Sequence, residues 1–149
     1  MTTRPATGSV EDALRLLADQ LRAEDTPIAP HVIDPAEPPE FGELAASGPG
    51  AAKAPAEYAL IVEAVREGYL LHYEQPRLLA GHDPDLALLA GDYLYALGLD
   101  RLAALDDPRA VAILSDLITT CARLQAEGDK APIPALWRST AEQIAAGHG

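Results

Sequence analysis

Residues 86–101 read LALLAGDYLYALGLDR, a run with almost no polar face. A start signal precedes it: Asp83 suits the cap position and Pro84 the first helical position. A helix that is apolar all round must be wrapped by protein or by lipid. The run is broken by Gly91-Asp92 and closed by Asp100-Arg101, so it falls short of the roughly 18 apolar residues of a membrane span. The wrapping is therefore protein, and the pattern predicts a central helix crowded by companions. Burying each of its leucines is worth about 1.5–3 kcal/mol, against about 1–2 kcal/mol per residue for ordering the backbone. Such a helix depends on its neighbours, and a second chain is one source of them.

The rest of the chain repeats the helical theme. Ser9 can cap a first helix over residues 9–24, with Val10, Leu14, Leu17 and Leu21 at helical spacing. Residues 56–71 predict a second helix started by Pro55. Tyr58, Ile61, Val62, Val65 and Tyr69 line one face, and Glu63, Arg66 and Glu67 lie opposite. A fourth helix follows Asp106-Asp107-Pro108, carries Val111, Leu114, Leu117, Ile118, Cys121 and Leu124 inward, and ends at Gly128. Ile133-Pro134 opens a last helix with Leu136, Trp137 and Ile144 inward. Between the first two helices, residues 25–55 are rich in proline and acids and read as an irregular strap, pinned to the core by Ile28, Val32, Ile33 and Phe41. No alternating strand pattern occurs. The expected organisation is a flexible tail at 1–8, an N-terminal helix at 9–24, the strap at 25–55 and a helical core at 56–146. The expected class is all-α, an antiparallel bundle.

Composition narrows the function. The formal net charge of −12 disfavours nucleic-acid binding and docking on anionic lipid. The one cysteine, Cys121, excludes an internal disulfide and a thiolate metal cluster, and its place on an apolar stripe suits a small buried hydrophobe. The N-terminus lacks the apolar core of a signal peptide, so a cytoplasmic location is expected. Neither a glycine-rich phosphate loop, a zinc-ligand spacing nor a Ser-His-Asp arrangement is present. Asp106-Asp107 is best explained as helix capping.

Two strings carry a resemblance. Leu70-Leu71-His72 closes the second helix, and Leu88-Leu89-Ala90-Gly91-Asp92-Tyr93-Leu94 lies in the third. With the Leu- and Ala-rich helix after Asp107-Pro108, residues 58–127 resemble the all-α trans-isoprenyl diphosphate synthases. They are most similar to the non-catalytic small subunit of bacterial heptaprenyl diphosphate synthase. The resemblance implies part of the isoprenoid-synthase fold and a catalytic prenyl synthase as partner. In the catalytic family, Leu-Leu-His runs into an Asp-rich motif whose carboxylates hold magnesium and, through it, the substrate diphosphate. Here those positions are Tyr73, Glu74 and Arg77. The paired arginines that follow in the family are missing, and no second Asp-rich motif occurs in the sequence. The resemblance therefore implies an accessory subunit with no catalytic, cofactor-binding or metal-binding residues of its own.

The candidate contacts with a partner or ligand are Tyr73, Glu74, Asp92, Tyr95 and Trp137. Asp92 stands out because a carboxylate buried in an apolar helix needs a cation or hydrogen-bond donors, for which Arg66, Arg77 or a backbone amide of a packed segment could serve. Tyr73 and Tyr95 are read as exposed aromatic anchors, with Tyr69 and Tyr93 in the core. Trp137 belongs either to the core or to a contact surface. A stand-alone helical interaction module, possible as a homodimer, is the alternative reading.

Overall fold

The computed structural model describes residues 8–147; most of the tail expected at 1–8, and the two residues after Gly147, lie outside that range. Among the described residues the chain is all-helical, with no β-strand. After a short 3₁₀ turn at Val10–Asp12, the α-helices are α1 (Ala13–Ala23), α2 (Glu40–Ala46), α3 (Pro55–Tyr73), α4 (Pro84–Ala104), α5 (Pro108–Glu127) and α6 (Ile133–Ala146). Local chemistry sets most of the boundaries. Ser9 accepts from the Glu11 N–H, Asp83 from the Leu86 N–H at 2.7 Å, and Asp107 from the Ala110 N–H at 3.1 Å. Each satisfies an amide that a helix start would otherwise leave bare. Pro55, Pro84 and Pro108 occupy first helical positions, and Gly128 closes α5 in the left-handed region at φ 74°.

The encased helix is α3, not α4. From Ala56 to Leu71 every residue of α3 except Arg66 is buried. It lies between two apolar clusters, one shared with α2, α5 and α6, the other with α1, α4 and the segment around Leu78 and Leu79. α4 runs antiparallel to α3: Arg101 meets Glu57 at one end and His72 meets Leu88 at the other. Glycines allow the close approach. A Cβ on Gly68 would lie 2.9 Å from the Gly91 carbonyl oxygen, and one on Gly98 2.7 Å from Val65 Cγ2. The buried residues of α4 are Ala90, Gly91, Leu94, Gly98, Arg101 and Leu102, with Leu86, Tyr93, Leu97 and Leu99 only partly buried against the two clusters. Leu88 and Leu89 are 56% and 57% exposed, which corrects the expectation of a helix wrapped on all sides.

Glu63 and Glu67 also depart from expectation. Both were assigned to an outer face, yet both side chains are fully buried. Each is satisfied by Arg77, and Glu63 also accepts from the Gly42 N–H at 2.7 Å. Glu57 is buried too and is gripped by Arg101 through two bonds, 2.8 and 2.7 Å. A buried carboxylate is tolerable on these terms because it is paired and fully hydrogen-bonded.

The strap is more regular than its proline content suggests. It contains α2 and two 3₁₀ turns, and it lies on the core with Ile28, Ala45 and Ala51 buried. Val32 pairs in an isolated antiparallel bridge with Leu79, and Phe41 is packed on the core. Ile33, expected as a pin, is 40% exposed. α2 has a close contact of its own: a Cβ on Gly42 would lie 2.7 Å from the Ala59 carbonyl oxygen. No helix of the described residues is long and apolar enough to cross a membrane.

Candidate interaction surface

The C-terminal end of α3 and the facing part of α4 bring most of the candidate residues together. His72 is the hinge of this region. Its Nε2 lies 3.1 Å from the Leu88 carbonyl oxygen and 3.1 Å from Asp92 Oδ1. Both are acceptors, so Nε2 carries the proton. The ring fits because residue 91 is glycine; a Cβ there would sit 2.2 Å from His72 Cδ2. Tyr95 meets the His72 ring edge-on at 5.2 Å, and Tyr73 lies 5.9 Å from it. Tyr73 is 38% exposed, Tyr95 is half-buried and Glu74 is exposed.

Asp92 is not the buried carboxylate the sequence suggested. Its side chain is 74% exposed, and its partner is His72, not Arg66 or Arg77. It lies on the solvent side of α4, where water solvates it at no desolvation cost. Arg77 instead donates to Glu63 Oε1 at 2.6 Å and, from Nε, to Glu67 Oε1 at 2.9 Å. The Arg77 and Leu78 amides also bond Glu67 Oε2. Burial opposes the Arg77 charge, but the two carboxylates outweigh it and raise its pKa.

Arg66, assigned to the outer face, is partly buried in an aromatic box. Its guanidinium carbon lies 5.1 Å from the Phe41 ring, 5.6 Å from Tyr69 and 4.9 Å from Trp137. Three helices, α2, α3 and α6, are joined through this one cation. Burial and the neighbouring Arg77 lower its pKa. Trp137 is only 2% exposed and forms part of the box, so it belongs to the core and not to a contact surface. Sequence reading missed the box because α2 supplies Phe41 and α6 supplies Trp137, both remote in sequence from Arg66.

The tyrosines divide as their surroundings dictate. Tyr69 is buried; its hydroxyl accepts from Gln125 Nε2 at 2.9 Å, and burial with hydrogen bonding toward Glu74 pushes its pKa to about 12. Tyr93 is half-buried and donates to Glu24 at 2.6 Å, with its pKa pushed to about 12 by burial and that bond. Burial also raises the Tyr95 pKa. These phenols are neutral, amphipathic groups over the whole physiological range.

A cleft of about 500 Å³ lies at the other end of α3, lined by Lys53, Tyr58, Asp106, Asp107 and Arg109 among others. Most of its polar groups are engaged in holding the fold. Lys53 donates to the Leu105 carbonyl at 2.6 Å, Arg109 to the Gln143 carbonyl at 2.9 Å, and the Tyr58 hydroxyl to Asp107 at 2.5 Å. Among the described residues, no group of three or more His, Cys, Asp or Glu is placed to hold a metal ion.

The exposed large apolar residues of α4 are Leu88 and Leu89. Their side chains stand clear of the body, and the His72 bond to the Leu88 carbonyl ties that turn to α3. Comparison with known proteins finds no family model, no curated protein and no solved structure that matches this chain.

Proposed function

We propose that this chain is a non-catalytic accessory subunit that acts by docking on another protein, as the small subunit of a polyprenyl diphosphate synthase does. The observation that carries the reading is the exposure of Leu88 and Leu89, which belong to the very string on which the resemblance rests. An adjacent pair of leucines left in water gives a partner apolar area to remove from solvent. The two resembling strings also meet in space, through the His72 bond to Leu88 and its fit over Gly91. Where the catalytic family keeps diphosphate-handling acids, this chain has Tyr73, Glu74 and Arg77, and Arg77 is committed to Glu63 and Glu67.

The test is co-expression with catalytic polyprenyl diphosphate synthases, followed by light scattering and analysis of product chain length. The expected result is a hetero-oligomer whose products differ in length from those of the synthase alone. A chain that stays separate from every such synthase, and alters no product, rules the reading out. A homodimer through the same leucines is the competing arrangement, and sedimentation of the isolated chain distinguishes it.

A further inference from the structure

The outer side of α4 has a charge pattern as well as an apolar ridge. Asp85, Leu88, Leu89, Asp92 and Asp100 are all exposed. Asp85, the leucine pair and Asp92 follow one another at i, i+3/i+4 and i+7, so they form one strip along the helix. An acid stands one turn before the leucines and another one turn after. The strip has no Lys or Arg of its own, and Asp92 keeps its exposed carboxylate while accepting from His72 Nε2 at 3.1 Å. The one basic residue of α4, Arg101, is buried and bound to Glu57.

This arrangement discriminates between occupants. If a second copy laid the same strip across it in two-fold symmetry, Asp85 and Asp92 of each chain would face the acids of the other. Both chains would also carry a net charge of −12. Like charges at close quarters across an interface oppose association and select against that partner. A partner with cations in the same places gains both the apolar contact and the charge pairing.

Resting on the docking role proposed above, we infer that the strip receives an amphipathic helix of another protein that carries Lys or Arg at i and i+7 around apolar residues at i+3 and i+4. The two cations on such a helix lie about 10 Å apart, matching the spacing of Asp85 and Asp92 on α4. The leucine pair supplies affinity, and the flanking acids set orientation and exclude acidic competitors.

The experiment uses the full chain and two synthetic helical peptides that are identical except at two positions. One carries Lys at i and i+7 around a Leu-Leu pair; its twin carries Glu at those two positions. Binding is followed by calorimetry at low and at moderate salt. The Lys peptide is expected to bind about tenfold more tightly than its twin, with the advantage shrinking as salt rises. The double variant L88S/L89S, checked for native melting, should lose binding. D85K should weaken the Lys peptide about threefold or more. Equal affinity for both peptides, failure to bind either, or a homodimer dissolved by L88S/L89S would each overturn the inference. A complex with a prenyl synthase that is lost in L88S/L89S but indifferent to D85K and salt retains the docking role and overturns only this charge pattern. Charge-selective peptide binding without any synthase complex does the reverse.

Discussion

Arg77 Nη1 lies 2.6 Å from Glu63 Oε1, although Arg77 follows α3 and Glu63 sits in the middle of it. The pair is almost entirely shielded, with 10% and 0% of the two side chains exposed. Together with Glu67 it folds the segment after α3 back along the helix, so that Leu78 and Leu79 enter the core. Burial pushes the Glu63 carboxyl upward, with Arg77 and the Gly42 N–H pulling against it. Removing the cation leaves two buried carboxylates without their partner. R77M is expected to cost about 3–5 kcal/mol in urea unfolding. The triple variant E63Q/E67Q/R77M should recover part of that loss, because neutral amides carry a smaller burial penalty. A triple variant no more stable than R77M would refute this account.

The α3–α4 approach makes a second prediction. Alanine is favoured over glycine in a helix by about 1 kcal/mol. At residue 68, however, a methyl group would meet the Gly91 carbonyl oxygen at 2.9 Å and the Tyr95 ring at 2.8 Å. Overpacking of this kind costs about 1–3 kcal/mol. G68A should therefore lower the melting temperature despite its better propensity. A rise would mean that the helices stand further apart.

The leucines of α4 should separate sharply in a stability scan. Leu94 is fully buried, and L94A is expected to cost about 2–5 kcal/mol. Leu88 and Leu89 face solvent, and alanine at either should change stability by about 0.5 kcal/mol or less. Chemical denaturation of the three variants checks the order. Equal losses would return α4 to the centre of the bundle.

Acid should weaken the start of α5. Burial works against ionised Asp107, but the bonds from Tyr58 and the Ala110 N–H, with Lys53 and Arg109 nearby, outweigh it and hold its pKa below the ordinary value. A depressed carboxyl contributes stability above its unfolded pKa of about 3.9, and loses it as pH falls toward the folded value. The wild type should lose stability below about pH 4, whereas D107N should show a shallower slope there. Tyr58 behaves in the opposite sense. Its pKa is raised by burial and by Asp107, so its contribution is complete below about pH 10 and fades in stronger alkali. Unfolding free energy measured across pH tests both signs.

Cys121 is buried, and burial pushes its thiol to about 11 although Arg66 and Trp137 pull the other way. At pH 8 its thiolate fraction is lower than that of a free cysteine by about a hundredfold. Alkylation of the native protein should be slower by at least that factor, and urea should restore the ordinary rate. Rapid labelling of the folded chain would place the residue at the surface.

The sequence by itself determined the helical class and the ends of the long helices. Those ends depend on neighbours within a turn: Asp83 and Pro84, Asp107 and Pro108, and Gly128 do their work locally. It also singled out Tyr73, Glu74, Asp92 and Tyr95, which the fold gathers around the end of α3. Trp137 was ambiguous, because a tryptophan on an apolar stripe suits a core or a contact surface equally well. Only the tertiary structure decided which helix is encased. α3 and α4 are both strongly apolar, and Glu63 and Glu67 read as a solvent face because their shared partner, Arg77, lies beyond the end of the helix. α2 was hidden for the same reason. A seven-residue helix flanked by proline and containing glycine has little stability alone; it is held by the core cluster it shares with α3 and α6, and by the bond from Gly42 to Glu63. Local signals are written in adjacent residues, whereas burial depends on which distant surfaces meet. That is why the outer side of α4, with Leu88 and Leu89 open to water, was settled by packing and not by pattern.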